Sequence, residues 1–243
     1  MFAGNDEELI VTDKRFDPAL YALPEAARLA RLPQQTLRNW LVGRRYPAGG
    51  NLIEGLPVIA VLRDPEPSLS FINLVEVVAL AGFRETGVSM QRVRRALDYA
   101  GREMRMEHPL ASERILTDGM DLFWQYQERD PGDRHLVNIS REGQRVFPEA
   151  VMRYLQEIEW GTDLFAARWW PGAAAQAGPV VIDPARAFGA PVLAGTGIRT
   201  EDVFHRFRGG EPIREVADDY GIAIEQVEAA IRLETKLLEP LAA

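Results

Sequence analysis

Residues 21–40, which read YALPEAARLARLPQQTLRNW, have the pattern of two short helices that meet at a steep angle. Pro24 stands where a first helix would begin, because proline is favoured in the first turn of a helix. Pro33 interrupts that helix, and Gln34 begins a second one. Small alanines on the first helix allow a close approach, and Leu37 and Trp40 fill the space between the two helices. The stretch therefore predicts a helix-turn-helix.

The predicted second helix presents polar side chains that match the edges of DNA bases. Asparagine and glutamine form paired hydrogen bonds with adenine, arginine does so with guanine, and threonine contacts a thymine methyl group or a phosphate. The candidate DNA-binding residues on this helix are Gln34, Gln35, Thr36, Arg38 and Asn39. We therefore expect the helix to enter a major groove.

The sequence around this motif is basic, although the chain as a whole is acidic. The net charge of −8 by itself disfavours a nucleic-acid binder. Residues 21–50, however, hold five arginines and one glutamate, a net charge of +4. Arg44 and Arg45 are candidate phosphate contacts. They precede residues 51–62, which have the pattern of two short strands around a glycine turn and predict a wing.

Residues 21–99 resemble the winged helix-turn-helix of MerR-type regulators. The matching positions are Ala27, Leu29, Pro33, Thr36, Leu37, Arg38 and Trp40. Arg31 departs from the pattern, because that family usually has a turn glycine there. The resemblance implies DNA binding. The alternative is a helix pair within an ordinary helical core, with its arginines on a solvated face.

Two further helices are predicted after the wing. Residues 71–81 are apolar on nearly every side, which is typical of a helix at the centre of a core. Residues 89–106 carry one apolar stripe, and the opposite face is predicted to be basic. That face comprises Arg92, Arg94, Arg95, Arg102 and Arg105. It is either a second phosphate contact or a solvated basic surface.

The rest of the chain predicts a mixed block followed by a small helical one. Asp118-Gly119 and Glu142-Gly143 each predict a hairpin, and Pro148 begins a helix. The uncharged residues 171–179 predict a boundary. Beyond it come two apolar strands, at 180–182 and 191–193, and three helices within residues 200–238.

The predicted fold is therefore mostly α with small β elements, an α+β class. We expect a winged helix-turn-helix DNA-binding domain at 1–106, a mixed middle block at 107–170, and a three-helix, helix-turn-helix-like domain at 180–243.

The carboxy-terminal block resembles a domain of unknown function found in bacterial antitoxins. The matching positions are Gly189, Pro191, Gly195, Thr196, Ile198, Ala217 and Tyr220. Gly197 stands where that family has arginine, and an arginine follows at position 199. Gly195 and Gly197 predict backbone with positive φ, and Thr200 predicts a helix N-cap. We expect a turn that locks the three helices together.

The order of the two domains resembles that of VapB-type antitoxins, whose partner toxin has a PIN-like fold. The resemblance implies an antitoxin of a type II toxin-antitoxin system that represses its own operon, binds operator DNA as a homodimer, and neutralises a ribonuclease. Residues 180–243 carry seven basic and eleven acidic residues, a net charge of −4, which favours protein contacts over DNA. Candidate partner-binding residues are Trp169, Trp170, Arg199, Arg206 and Arg208.

Catalytic and metal-binding patterns are not found in the sequence. Cysteine is absent, and the three histidines, His108, His135 and His205, lack the spacing of a metal site. We therefore expect a cytoplasmic protein that is not an enzyme, with no cofactor, no metal and no membrane partner. Two alternatives stay open: a MerR-type regulator that responds to an effector bound by the middle block, and a pure protein-interaction module.

Overall fold

The computed structural model describes residues 13–17, 19–48, 51–129, 136–139 and 145–239. Within that part of the chain, helices predominate and the sheets are small and antiparallel. The predicted α+β class with an amino-terminal helix-turn-helix is confirmed.

The helix-turn-helix consists of α1 (Leu23–Leu29) and α2 (Gln34–Val42). Pro24 lies in the first turn of α1, as predicted. Arg31, at the position where the resembling family has glycine, adopts a left-handed conformation with φ of 54°. The predicted turn is therefore in place, although a non-glycine residue carries its strained backbone. Leu37 and Trp40 are buried between the helices.

The wing differs from the prediction. Its strands are β2 (Arg44–Ala48) and β3 (Asn51–Gly55), which pair antiparallel with Arg44 opposite Gly55. Arg44 and Arg45 thus belong to the wing and do not merely precede it. Two glycines, at positions 49 and 50, separate the strands in the sequence, and such a pair is a stronger hairpin signal than the single glycine on which the prediction relied.

Residues near the end of the predicted wing form a separate sheet. Its strands are β1 (Tyr21–Ala22), β4 (Leu62–Arg63) and β5 (Pro67–Leu69), in the order β1-β5-β4. Tyr21 pairs with Leu69, so this sheet joins the start of the helix-turn-helix to the helix that follows.

That helix is α3 (Phe71–Glu85), which is buried over almost its whole length, as predicted. Ser70 caps it: the Asn73 backbone N–H donates to Ser70 Oγ, and the Ser70 N–H donates to Asn73 Oδ1. The next helix, α4 (Met90–Met104), buries the predicted apolar stripe. Arg92 contradicts the prediction of an exposed basic face, because it is only 4% exposed. It precedes buried Ala96 and Ala100 by one and two helical turns and so shares their face.

In the middle block, the prediction of a hairpin around Asp118-Gly119 is wrong. A short 3-10 helix (Glu113–Leu116) leads instead into α5 (Asp118–Arg129). Asp118 and Asp121 suit the first turn of a helix, where carboxylates are stabilised by the helix dipole. Gly119 is explained by close packing, because an ideal Cβ there would lie 2.6 Å from Ile115 Cδ1.

The second predicted hairpin has paired strands, β6 (Asn138–Ile139) and β7 (Arg145–Val146), which run antiparallel. Glu142 and Gly143, the predicted turn, lie outside the described residues. Helix α6 (Glu149–Gln156) follows Pro148, in agreement with the prediction.

One sheet combines strands from both sides of residues 171–179, where the sequence predicts a domain boundary. Its strands are β8 (Ile158–Trp160), β9 (Ala166–Trp169), β10 (Val180–Ile182) and β11 (Pro191–Leu193), in the order β11-β10-β9-β8. Strands β10 and β11 lie where they were predicted. The proposed domain limits themselves stay a prediction.

The last helices are α7 (Thr200–Arg208), α8 (Ile213–Tyr220) and α9 (Ile224–Leu238), which agree with the prediction. They enclose a small core that includes Val203, Val216 and Val227. The far end of α9 leaves this unit, and Leu237 packs into the main core of the protein. Among the described residues, none of the helices has the length and apolar character that a bilayer span requires.

Candidate nucleic-acid interface

Helix α2 separates buried from accessible side chains along its length. Leu37, Trp40 and Leu41 are buried, and they fix the helix against the core. On the other side, Gln34 and Gln35 are exposed, while Thr36, Arg38 and Asn39 are partly exposed. The structure thus places all five candidate side chains on the accessible part of one helix.

Two contacts hold polar side chains of α2 in place. Gln35 Nε2 donates to Asn39 Oδ1 at 3.0 Å, across one helical turn. Arg38 Nη2 donates to Glu66 Oε2 at 2.5 Å, and both side chains are well exposed. Glu66 was not identified from the sequence, because it lies 28 residues away from Arg38 and belongs to no local motif. An exposed carboxylate therefore engages Arg38 in this structure.

The wing is placed close to α2 by a tight connection. Gly43 follows α2 with φ of 84°, and a Cβ at this position would collide with the carbonyl oxygen of Gly55. Only glycine fits there, because the backbones of β2 and β3 approach closely. Arg44 is exposed at the start of β2. The Arg45 backbone pairs with Glu54, but its side chain lies outside the described residues.

A groove of about 270 Å³ joins α2, the wing and α4. Thr36 and Asn39 line it on α2, and three arginines line it on neighbouring elements: Arg44, Arg84 and Arg94. The predicted basic surface of α4 is therefore divided. Arg94 faces this groove, Arg92 is buried, and Arg102 and Arg105 line a different groove beside Glu76. Thr36, Asn39 and Arg44, proposed from sequence, meet in one place, and Arg84 joins them as a residue that sequence reasoning missed.

The two tryptophans at the end of β9 differ in their accessibility. Trp169 is 4% exposed, and its Nε1 donates to Glu157 Oε2 at 2.8 Å. Burial raises the pKa of Glu157 above its ordinary value, against the opposing effect of this hydrogen bond. Trp170 is partly exposed and donates from Nε1 to Glu159 Oε2 at 3.0 Å. Trp169 is thus a core residue, and only Trp170 offers surface to a partner.

The candidate arginines of the carboxy-terminal helices also differ. Arg206 pairs with Glu211 and, at 2.6 Å, with Asp219, and its guanidinium lies over the Tyr220 ring. These contacts hold the Arg206 side chain against α8. The hydrogen bonds to both carboxylates also raise the pKa of Arg206.

Arg199 and Arg208 lie more openly on the surface. Arg199 forms an ion pair with Glu201 at 3.0 Å, and Arg208 is exposed above the Phe204 ring. These two are the more accessible of the predicted contacts.

The family-motif residues lie on either side of β11: Gly189 ends a short 3-10 helix, Pro191 begins the strand, and Thr196 stabilises the turn after it. Gly189 has φ of 76°, and a Cβ there would strike the Tyr21 hydroxyl, which donates to the Gly189 carbonyl oxygen at 3.0 Å. Pro191 pairs with Ile182 across the sheet. Thr196 Oγ1 donates to Leu193 O and accepts from Ile198 N–H.

Two details of that region correct the prediction. Gly195 has positive φ, whereas Gly197 does not. Thr200 is the first residue of α7, and the N-cap is Arg199. The Thr200 hydroxyl instead donates to the buried Glu234 carboxylate at 2.5 Å. This position serves packing between helices and does not cap one.

Two further residues were missed by sequence reasoning. Phe188 is 90% exposed and has a left-handed backbone with φ of 55°. Glu234 is buried and joins Thr200 to Arg28, which pairs with it at 2.8 Å. No local pattern marks Glu234, since its partners lie 34 and 206 residues away.

Residues of metal-site type do not cluster in the described ranges: no group of three histidine, cysteine, aspartate or glutamate side chains is found there. His108 Nδ1 lies 3.0 Å from Glu76 Oε2, and His205 is exposed on α7. His135 lies outside the described residues.

Two family models match the chain. Residues 19–97 match a model described as a "putative DNA-binding HTH domain", and residues 180–232 match a family described as a protein of unknown function, DUF433. The first match covers α1 to α4 up to Leu97, and the second covers β10 to the middle of α9.

Relatives match the chain over most of their own length. The Mycobacterium tuberculosis protein named "putative antitoxin VapB45" is 38% identical over 239 residues, which cover 94% of this chain and 98% of the relative. The M. tuberculosis protein Rv2308 is 27% identical over 88% of this chain and 90% of its own length. The crystal structure of Rv2018 from M. tuberculosis superposes with a TM-score of 0.74 at 35% identity, covering 89% of this chain and 99% of that one. The chain therefore belongs to the family of the protein named "putative antitoxin VapB45", and in this chain the residues that match a DNA-binding helix-turn-helix precede those that match DUF433.

Proposed function

We propose that this protein is an antitoxin of a type II toxin-antitoxin system that represses its own operon and neutralises a PIN-like ribonuclease. The observation that carries the proposal is the polar, accessible face of α2 beside a groove lined by Arg44, Arg84 and Arg94. The name of the VapB45 relative supports the antitoxin role. The protein acts by binding and not as an enzyme.

Repression requires two recognition helices on one operator. A homodimer would place its two α2 helices in successive major grooves, about 34 Å apart. Gln34, Gln35, Arg38 and Asn39 then reach base edges, while Arg44 and Arg94 contact the phosphates on either side. The operator is consequently expected to contain an inverted repeat.

The partner surface lies in the carboxy-terminal domain, residues 180–243. Its excess of acidic residues repels DNA and favours a basic protein, since complementary charge accelerates encounter. Arg199 and Arg208 are exposed there, and Phe188 supplies a large apolar side chain of the kind that anchors interfaces. We expect the toxin to contact these residues.

The test is direct binding to DNA from upstream of the protein's own gene, measured by fluorescence anisotropy against unrelated DNA of equal length. Arg38→Ala should weaken specific binding about tenfold, because a paired base contact contributes about 1–3 kcal/mol. Arg214→Ala, which removes an exposed arginine from α8, is the matched control and should bind as the wild type does. Equal loss in both variants would contradict a recognition role for α2.

The toxin arm is tested separately by co-expression with the neighbouring gene. We expect the wild-type protein to restore the growth of cells that express the toxin. The double variant Phe188→Ala/Arg208→Ala should not restore it. DNA binding without rescue would instead favour an effector-responsive regulator. An apolar cavity beside α1 gives that alternative its support.

A further inference from the structure

A cavity of about 410 Å³ lies where the helix-turn-helix, the middle block and α9 meet. This volume falls within the range of small-ligand sites. Its apolar walls come from α1, α3, β9, β10 and α9: Leu29, Val78, Trp169, Ile182, Leu233 and Leu237. An apolar body of moderate size would therefore be removed from water on several sides at once.

The charged side chains that line this cavity are mostly cationic. They are Arg31, Arg153, Arg232 and Lys236, against the single carboxylate of Glu157. Glu157 is buried and already accepts a hydrogen bond from Trp169 Nε1 at 2.8 Å. Because burial raises its pKa, Glu157 takes up a proton more readily than an exposed glutamate. The electrostatic balance of the cavity thus favours an anion.

Lys236 is the cation best placed to meet a ligand. Arg31 Nε donates to the Glu239 carbonyl oxygen, Arg153 pairs with Glu85, and Arg232 pairs with Glu228. Within the described part of the chain, no salt bridge engages the Lys236 ammonium, which is exposed beside Gly172 and acts on the Glu157 carboxylate only through its charge, lowering the pKa of Glu157 against the effect of burial. Its donors are available to a carboxylate that enters from solvent.

We propose that this cavity binds a small amphipathic monocarboxylate, with its apolar body against Trp169, Leu233 and Leu237 and its carboxylate at Lys236. The site goes beyond the antitoxin role and does not depend on it. Leu29, Ala30 and Arg31, the end of α1 and the turn before α2, form part of the wall. An occupant therefore touches the same segment that positions α2.

The test is isothermal titration calorimetry of the full chain with three probes that share one apolar body: octanoate, octanamide and octylamine. We expect octanoate to bind with one molecule per chain, and the other two probes to bind at least about tenfold more weakly. This factor corresponds to the loss of one charge-assisted hydrogen bond. Equal affinity for octanoate and octanamide, preference for octylamine, or no binding of any probe would overturn the proposal.

Two variants locate the site. Lys236→Gln should weaken octanoate binding about fivefold or more and leave octanamide unchanged, because it removes only the charge partner. Lys14→Gln is the matched control, since Lys14 is the other lysine of the chain, is exposed, and does not line the cavity. Ala229→Phe, on the cavity wall, should abolish binding by filling it, with folding checked by circular dichroism. Unchanged binding in Lys236→Gln would exclude the assigned carboxylate position, even if Ala229→Phe fails to fold.

Discussion

Arg38 on α2 is held by the exposed carboxylate of Glu66 at 2.5 Å, and a DNA phosphate or base must displace that carboxylate. An ion pair between exposed side chains is worth at most about 1 kcal/mol. We therefore expect Glu66→Gln to tighten operator binding by about threefold. The measurement is fluorescence anisotropy at fixed salt, in the wild-type and Arg38→Ala backgrounds.

The double variant separates release of Arg38 from a general change in surface charge. If Glu66 acts through Arg38, the gain disappears when Arg38 is alanine. A gain of equal size in both backgrounds would mean that Glu66 only repels DNA through its charge. Glu215→Gln on α8 provides a control for removal of an exposed carboxylate elsewhere.

Asn39 is the second residue on which recognition is expected to depend. It accepts a hydrogen bond from Gln35 and lines the groove that Arg44, Arg84 and Arg94 also line. Asn39→Ala should lower specific affinity about tenfold, while binding to unrelated DNA stays within about twofold, because base contacts carry sequence information and phosphate contacts do not. The midpoint of thermal unfolding is measured alongside. A large fall in that midpoint would show that Asn39 is structural.

The side chains of α2 were predictable because helical spacing alone separates Leu37 and Trp40 from the polar positions. Glu66 was not predictable, since its contact with Arg38 exists only after β5 has folded beside α2. The prediction that Arg92 is exposed was wrong for a related reason. A charged side chain indicates a solvated face, but the position of Arg92 on the helix belongs to the buried stripe.

At the scale of elements, sequence signals were reliable where several agreed. Strands β10 and β11 and the three last helices combine apolar pattern, glycine turns and prolines, and all were predicted. Asp118-Gly119 was misassigned because one dipeptide was used without its surroundings. There the aspartate begins a helix and the glycine makes room for Ile115, so the same two residues serve a different structure.

The junction between α1, α7 and α9 depends on one buried carboxylate. Glu234 accepts from Thr200 Oγ1 and pairs with Arg28, and its side chain is 4% exposed. Glu234→Ala leaves the buried Thr200 hydroxyl and the partly exposed Arg28 guanidinium without their acceptor, and should cost about 2–4 kcal/mol of unfolding free energy. We expect the thermal midpoint to fall by roughly 5–10 °C.

Two controls accompany this change. Glu234→Gln keeps a hydrogen-bond acceptor for Thr200 and loses only the charge, so its loss should be smaller. Glu228→Ala removes an exposed glutamate from the same helix and should change the unfolding free energy by less than about 0.5 kcal/mol. If the thermal midpoint of Glu234→Ala equals that of the wild type, the hydrogen bonds of Glu234 contribute no stability.

At the scale of the whole molecule, the sequence indicated separate blocks but not how they join. Residues 171–179 lack charge and periodicity, which is typical of a linker, yet they connect adjacent strands β9 and β10. Leu237 packs into the main core, and Arg28 pairs with Glu234 across 206 residues. Contacts at that separation leave no periodic signal in one sequence. The acidic carboxy-terminal helices are therefore fixed against the basic helix-turn-helix.

In the proposed function, this arrangement gives a chain of net charge −8 a local surface for DNA, and the salt dependence of binding tests that proposal. Each phosphate neutralised releases counterions, so contact with six or more phosphates should lower affinity about 10³-fold between roughly 50 and 200 mM salt. The logarithm of affinity is plotted against the logarithm of salt concentration. Arg94→Gln should make that slope shallower by about one unit, because it removes one phosphate contact from the groove shared with Arg44. Arg214→Gln, outside the groove, should leave the slope unchanged. A flat salt response in the wild type would contradict phosphate binding by this surface, whatever the sequence preference of α2.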